Sequence, residues 1–340
     1  MMLSAVESCD MKFGLNLGGG NLPHESREES LNGRLEKSRL AKRYGYSSIW
    51  SGAGYLNNDF HPMLLLSRVA AEAPGLELGM VGLLPLYHPV EVAEQIATLD
   101  VICGGRFILA PALGWRDYQF DGFGIPKNQR LSRFREVLKV MKLLWTEERV
   151  TFQGDHFNIN DVPGAGKPLQ EPYPLIYIAA NQDRGVVRAA RQGDGWLVSS
   201  RSTITTISSQ VQLYNETAEE YSKKPYISAW REMFIAETRE KAIDIARPHV
   251  EWLYKDRAAS GHSNELPSAD RIDVEFDQVL KDRFIIGSPD DCIREIYRYQ
   301  DLGIQELILR CQWPGMSNEE SLNAVNMFGK EVLPEFADKY

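Results

Sequence analysis

Residues 12–25 read KFGLNLGGGNLPHE, a short apolar run followed at once by three glycines. A dinucleotide-binding fold places its phosphate loop here, after a first strand, and writes it G-x-G-x-x-G running straight into a helix. Gly18 and Gly20 supply the first two glycines, but Pro23 takes the place of the third. The helix signal comes later: Ser26 stands three residues ahead of Glu29 in capping-box spacing, with Gly45 at the far end. The fingerprint is broken. The glycines are read instead as a loop over the mouth of a barrel, keeping side chains away from a place where a flat ligand lies.

The rest of the chain repeats one unit: a glycine-bearing turn, a short apolar run, a loop and an amphipathic helix. Strands are expected at 12–17, 47–50, 76–82, 106–112, 174–180, 195–199, 226–236 and 305–311. Near-continuous apolar runs of this kind belong to parallel sheets buried on both faces. Between them, Phe134, Val137, Leu138, Met141, Leu144 and Trp145 fall on one stripe of a helix. Another helix starts on Pro89 and stops at Gly104; a third opens on Ser288, Pro289 and Asp291 and closes at Gly303. Eight strands alternating with helices predict a single (β/α)8 TIM barrel, an architecture of about 250 residues plus insertions. The insertions are expected at 114–127, 148–173 and 256–277. Residues 1–11 read as a disordered or extended leader and 12–340 as one domain with no interdomain linker.

Composition narrows the partners. The chain is 43% hydrophobic and 25% charged over 340 residues, enough to bury a sizeable core. A formal net charge of −9, with no basic block, argues against nucleic acid or an anionic membrane. No apolar run approaches the ~20 residues that span a bilayer. The opening MMLSAVESCD carries acids where a signal peptide carries positive charge, so the cytoplasm is the expected location. Cys9, Cys103, Cys292 and Cys311 are scattered, as in a reducing compartment. His24, His61, His88, His156, His249 and His262 show no HxH or HExxH spacing, so no metal is expected. Ser199 and Ser200 lack the G-x-S-x-G elbow of a hydrolase.

Three stretches together carry a resemblance: LPLYHPVEVAEQIATLDVICGGRFILAPALGWR (84–116), PYPLIYIAANQDRGVVRAARQGDGWLVSS (172–200) and FIIGSPDDCIREIYRYQDLGIQELIL (284–309). The chain resembles the luciferase-like monooxygenase family of flavin-dependent oxidoreductases from Lys12 to about Leu333. That likeness implies a barrel without a Rossmann unit, binding reduced FMN, or in one branch the deazaflavin F420, at the C-terminal mouth. It implies a non-prolyl cis peptide at Val81–Gly82 against the flavin ring, and further ring and phosphate contacts at Ala112, Leu113 and Gly114. Leu113 stands where the bacterial luciferase branch has an arginine; Arg116 is either its replacement or a solvated loop charge. The phosphate site matches AANQDRG, with the backbone amides of Gln182, Asp183, Arg184 and Val186 facing the anion, Asn181 as cap and Arg184 adding charge.

A histidine that follows the second strand in much of the family is absent here, its place falling near Gly54, so no catalytic residue is assigned. His61 beside Pro62 and His88 in YHP are read as structural. Trp115, Trp196, Trp230 and Trp313 are expected near strand ends around an apolar pocket. The resemblance implies a monooxygenase using reduced FMN and dioxygen on a small organic substrate, with a separate flavin reductase and a homo-oligomer, commonly a dimer. F420-dependent hydride transfer and flavin binding without turnover are the alternatives.

Overall fold

The computed structural model describes residues 11–19, 22, 25–52, 54–57 and 59–337. Most of the expected leader, Cys9, Gly20, Pro23 and His24 lie outside them. β1 (Lys12–Asn16), β2 (Ser48–Gly52), β3 (Glu77–Leu83) and β4 (Phe107–Ala112) alternate with α1 (Arg27–Tyr44), α2 (Pro62–Glu72) and α3 (Pro89–Ile102). After α4 (Asp117–Gly122) and α5 (Arg130–Thr146) comes an antiparallel hairpin, β5 (Arg149–Gln153) and β6 (Asn158–Pro163). Alternation resumes with β7 (Leu175–Ala180), α6 (Asp183–Gln192), β8 (Gly195–Val198), α7 (Ile204–Glu220) and β9 (Ile227–Ile235). The chain ends through α8 (Arg239–Ala259), α9 (Phe276–Leu280), β10 (Phe284–Gly287), α10 (Pro289–Gln300), β11 (Glu306–Arg310), α11 (Asn318–Glu331) and α12 (Leu333–Phe336).

Pairing runs β11-β1-β2-β3-β4-β7-β8-β9, and β9 pairs with β11, closing eight parallel strands into a barrel. These are the eight strands expected from the sequence. The signals that placed the helices are physical and present. Ser26 and Glu29 form a reciprocal capping box, Gly45 ends α1 at φ +79°, and Ser288 with Asp291 caps α10 in the same way. His88 accepts from the Val90 amide at 3.3 Å, so its imidazole caps α3.

Two features were not anticipated. β10 is only four residues long and lies against the overhanging end of β9, from Glu232 to Ile235, too short to announce itself as a strand. The hairpin fills most of the insertion at 148–173; its alternation is interrupted by a register shift between Val150 and Phe152. A further difference concerns Val81–Gly82. That peptide is trans, the one cis bond among the described residues being Glu171–Pro172. β3 instead continues in regular register, Gly82 opposite Pro111 and Leu83 opposite Ala112.

The core has two layers. Outside, the strands pack on the helices; inside, Trp50, Ile108, Ala110, Tyr177, Leu197 and Ile308 fill the barrel. Trp50 fits only because Gly79 is bare: a Cβ there would stand 2.1 Å from the indole. Below, Glu306 is fully buried and accepts from Ser48 Oγ and Ser228 Oγ at 2.6 Å each. Burial raises its pKa above the ordinary carboxylate value. This plug seals the N-terminal end, leaving the C-terminal ends of the strands for a ligand.

Candidate active site

A cavity of about 680 Å³ opens at those strand ends, within the range of small-molecule sites. Its first wall is the glycine loop. Gly18 and Gly19 both line it, and a Cβ on Gly19 would stand 2.8 Å from Gln312 Cβ. The loop is held from below by Arg34 of α1. This buried guanidinium donates to the Leu17 carbonyl at 3.0 Å and the Gly19 carbonyl at 2.9 Å, and pairs with Asp59 at 2.8 Å. Replacing Arg34 with Met is expected to cost about 3 kcal/mol in a urea unfolding curve, since it orphans buried carbonyls and breaks the ion pair.

The apolar walls come from β3, β4 and the residue after it, β7 and β9: Val81, Leu83, Ala112, Leu113, Ala179 and Trp230. Gly114 lines the cavity too, at φ +76°, and its carbonyl accepts from Arg130 Nη1 at 2.8 Å. Gly82 is not a lining residue. A Cβ on it would meet Met80 Cε at 3.0 Å and Leu109 Cδ1 at 3.6 Å, in the outer layer. The cause is strand alternation, which turns Val81 and Leu83 inward and Gly82 outward.

The turn from β7 into α6 supplies one cationic end. Asn181, Gln182, Arg184 and Gly185 line the cavity, and Arg188, one helical turn after Arg184, lines it with a buried, unpartnered Nε. The details differ from the expectation. The cap position belongs to Gln182, not Asn181, and Gln182 makes no side-chain cap bond. Val186 is fully buried and its amide donates to the Gln182 carbonyl at 3.0 Å, so it is not available to an anion. Asp183 turns its carboxylate to Gln210 Nε2 at 3.0 Å, away from the cavity. The amides of Asp183 and Arg184 stand in the first turn, where a helix has no internal acceptor.

The titratable side chains lining the cavity are mostly engaged. Glu265 takes both nitrogens of Arg130, at 3.2 and 2.8 Å, and lies 3.8 Å from Lys127. Asp256 lies 3.8 Å from Arg116, whose guanidinium also sits 4.8 Å above the Trp115 ring. Glu232, beneath the cavity, holds Arg310 through Nε at 2.7 Å and accepts from Trp313 Nε1 at 2.7 Å. His262 packs on Trp115 with centroids 4.0 Å apart and the rings tilted by 39°. Burial, then the nearby charges of Arg201, Arg257 and Arg116, lower its pKa far below the ordinary imidazole value, so the ring is neutral.

Of the four expected tryptophans, Trp115 and Trp230 line the cavity. Trp196 and Trp313 are buried elsewhere, their indole N–H groups donating to the Ala180 carbonyl and to Glu232. Gly54, Asn57 and Asp59 line it after β2, whereas Tyr55 packs on Phe123 at 4.8 Å. His61 precedes α2 and makes no side-chain cap bond. Sequence reasoning missed Arg130, Arg188, Arg201, Trp252 and Arg257. Arg188 was readable, four residues beyond Arg184 on one helix face; Arg257 and Trp252 come from a helix whose approach to the mouth no periodicity reveals.

The profile of the luciferase-like monooxygenase family matches residues 11–306. The chain is 24% identical over 317 residues to the F420-dependent glucose-6-phosphate dehydrogenase of Amycolatopsis mediterranei (strain U-32), covering 88% of this chain and 93% of that protein. It is 25% identical over 319 residues to the FMNH(2)-dependent dimethylsulfone monooxygenase of Pseudomonas putida, covering 87% and 85%. Among solved structures, monooxygenase RslO1 from Streptomyces bottropensis superposes with a TM-score of 0.83 at 23% identity, over 96% of this chain and all of that one.

Proposed function

Because the chain belongs to the luciferase-like monooxygenase family, a group of flavin or F420 oxidoreductases, we propose that it oxygenates a small organic substrate with reduced FMN and dioxygen. A separate reductase supplies the reduced flavin. The residues fit such a cofactor. Arg188 offers a buried, unpartnered nitrogen beside Arg184 and the first amides of α6, a setting suited to a phosphate. Val81, Leu83, Ala112, Leu113 and Ala179 give an apolar slot for a planar ring, and bare Gly18 and Gly19 leave its edge clear. The bound flavin would supply the oxygen chemistry; the protein's own part is to grip the phosphate, orient the ring and exclude water.

The test is ligand identity followed by turnover. FMN is expected to bind at least tenfold tighter than riboflavin in a fluorescence titration, and the Arg188→Met variant to erase that difference. Dioxygen uptake is expected when reduced FMN is supplied, with no NAD(P)H oxidation by the protein alone. Tighter retention of F420 than of FMN, or NAD(P)H oxidation without a partner, would overturn the reading.

A further inference from the structure

A second group of cations lines the same cavity away from α6, and the carboxylate that acts on it, Glu232, is already paired with Arg310. Arg201 follows β8 and Arg257 lies in the last turn of α8. Neither forms an ion pair among the described residues, although Arg116, Arg130 and Arg310 each do. Arg201 Nε and Arg257 Nη1 are buried and have no hydrogen-bond partner, as is His262 Nδ1. Among the described residues, the Arg201 side chain donates one bond, from Nη1 to Ser200 Oγ at 3.3 Å.

The scaffold brings these two arginines together. Tyr254, three residues before Arg257 on α8, points its hydroxyl at both the Ser200 carbonyl (3.4 Å) and Glu232 Oε1 (3.3 Å). The Arg201 carbonyl in turn accepts from Arg283 Nε at 2.8 Å, fixing the loop. Holding guanidinium groups like this is unfavourable. Burial, with Arg201 and Arg310 beside it, drives the pKa of Arg257 well below its ordinary value, yet a guanidinium does not release its proton in a protein. An arriving oxyanion would relieve that stress, and a guanidinium fork matches carboxylate and phosphate oxygens.

We propose that Arg201 and Arg257 form an anion subsite for the substrate, distinct from the cofactor's phosphate grip on α6, and that the substrate is an organic carboxylate or phosphate with an apolar body. The reading rests on the assignment of the α6 turn to FMN. The short turn from His262 to Glu265 lies between the two ends: Gln182 Nε2 donates to the Glu265 carbonyl at 3.2 Å, while His262 sits among Arg116, Arg201 and Arg257. The apolar body has its walls nearby, since Trp115, Trp230, Trp252 and Leu253 also line the cavity.

The experiment uses calorimetry on the FMN-saturated protein with three probes: phenyl phosphate, benzoate and neutral benzyl alcohol. At least one anionic probe is expected to bind tenfold or more tightly than benzyl alcohol, and which one it is separates phosphate from carboxylate. Arg201→Met and Arg257→Met are expected to erase the preference, Arg257→Lys to keep part of it, and Arg68→Met, at an exposed position on α2, to leave it intact. Equal affinity for all three probes overturns the proposal, a result that needs no variant. So does displacement of FMN by the anionic probes, which would put them in the cofactor's own site. Failure of FMN to bind would instead sink the cofactor assignment, and the same probes on the flavin-free protein then still read the subsite.

Discussion

Glu232→Ala is expected to lower the stability of the protein by about 3–5 kcal/mol, the cost of removing one partner from a buried ion pair. Glu232 is fully buried, and its carboxylate meets Arg310, Trp313 Nε1 and the Tyr254 hydroxyl. Burial alone would push its pKa up, but Arg310, with help from Arg257 and the Trp313 bond, pulls it down to about 2. The folded value thus lies below the unfolded one near 4.5. Its contribution is fully present above that unfolded value and disappears as pH falls towards 2. The difference corresponds to roughly 3 kcal/mol. Urea unfolding between pH 7 and pH 2 should show the wild type losing this increment on acidification while the variant does not. A variant within 1 kcal/mol of wild type at pH 7 would mean that the pair is not a significant support.

The second large effect is on cofactor binding. Ala179 sits on the inner face of β7 and lines the cavity among Trp230, Leu197 and Val81. An indole at this position projects into the space assigned to the flavin ring. Ala179→Trp is expected to weaken FMN affinity at least a hundredfold in a fluorescence titration. The thermal midpoint should stay within a few degrees, because the new bulk occupies the cavity and not the packed outer layer. Unchanged affinity in a folded variant would move the ring elsewhere.

The barrel was legible because its signals are local and repeated. Each of the eight strands is a near-continuous apolar run, and the helices that follow carry their own caps, such as Ser26 with Glu29 and Ser288 with Asp291. Strand ends were legible for the same reason, which is why Val81, Ala112, Leu113, Gly114, Asn181, Gln182 and Arg184 all reach the cavity. Errors arose where one residue decides the orientation. Gly82 and Val81 are neighbours, but the pleat sends them to opposite faces. Val186 lost its place to a helical bond one turn along. The arginines on α8 and beyond β8 were invisible because only tertiary contacts, such as the Tyr254 hydroxyl against the Ser200 carbonyl, bring them into the mouth.

The turn between His262 and Glu265 belongs to no barrel repeat, yet its last residue is clasped by Arg130 and Gln182 while its first leans on Trp115. A single lengthening of that bridge would shift both anchorages at once. With FMN at the α6 turn and the substrate anion at Arg201 and Arg257, as proposed, such a change would alter both binding ends together.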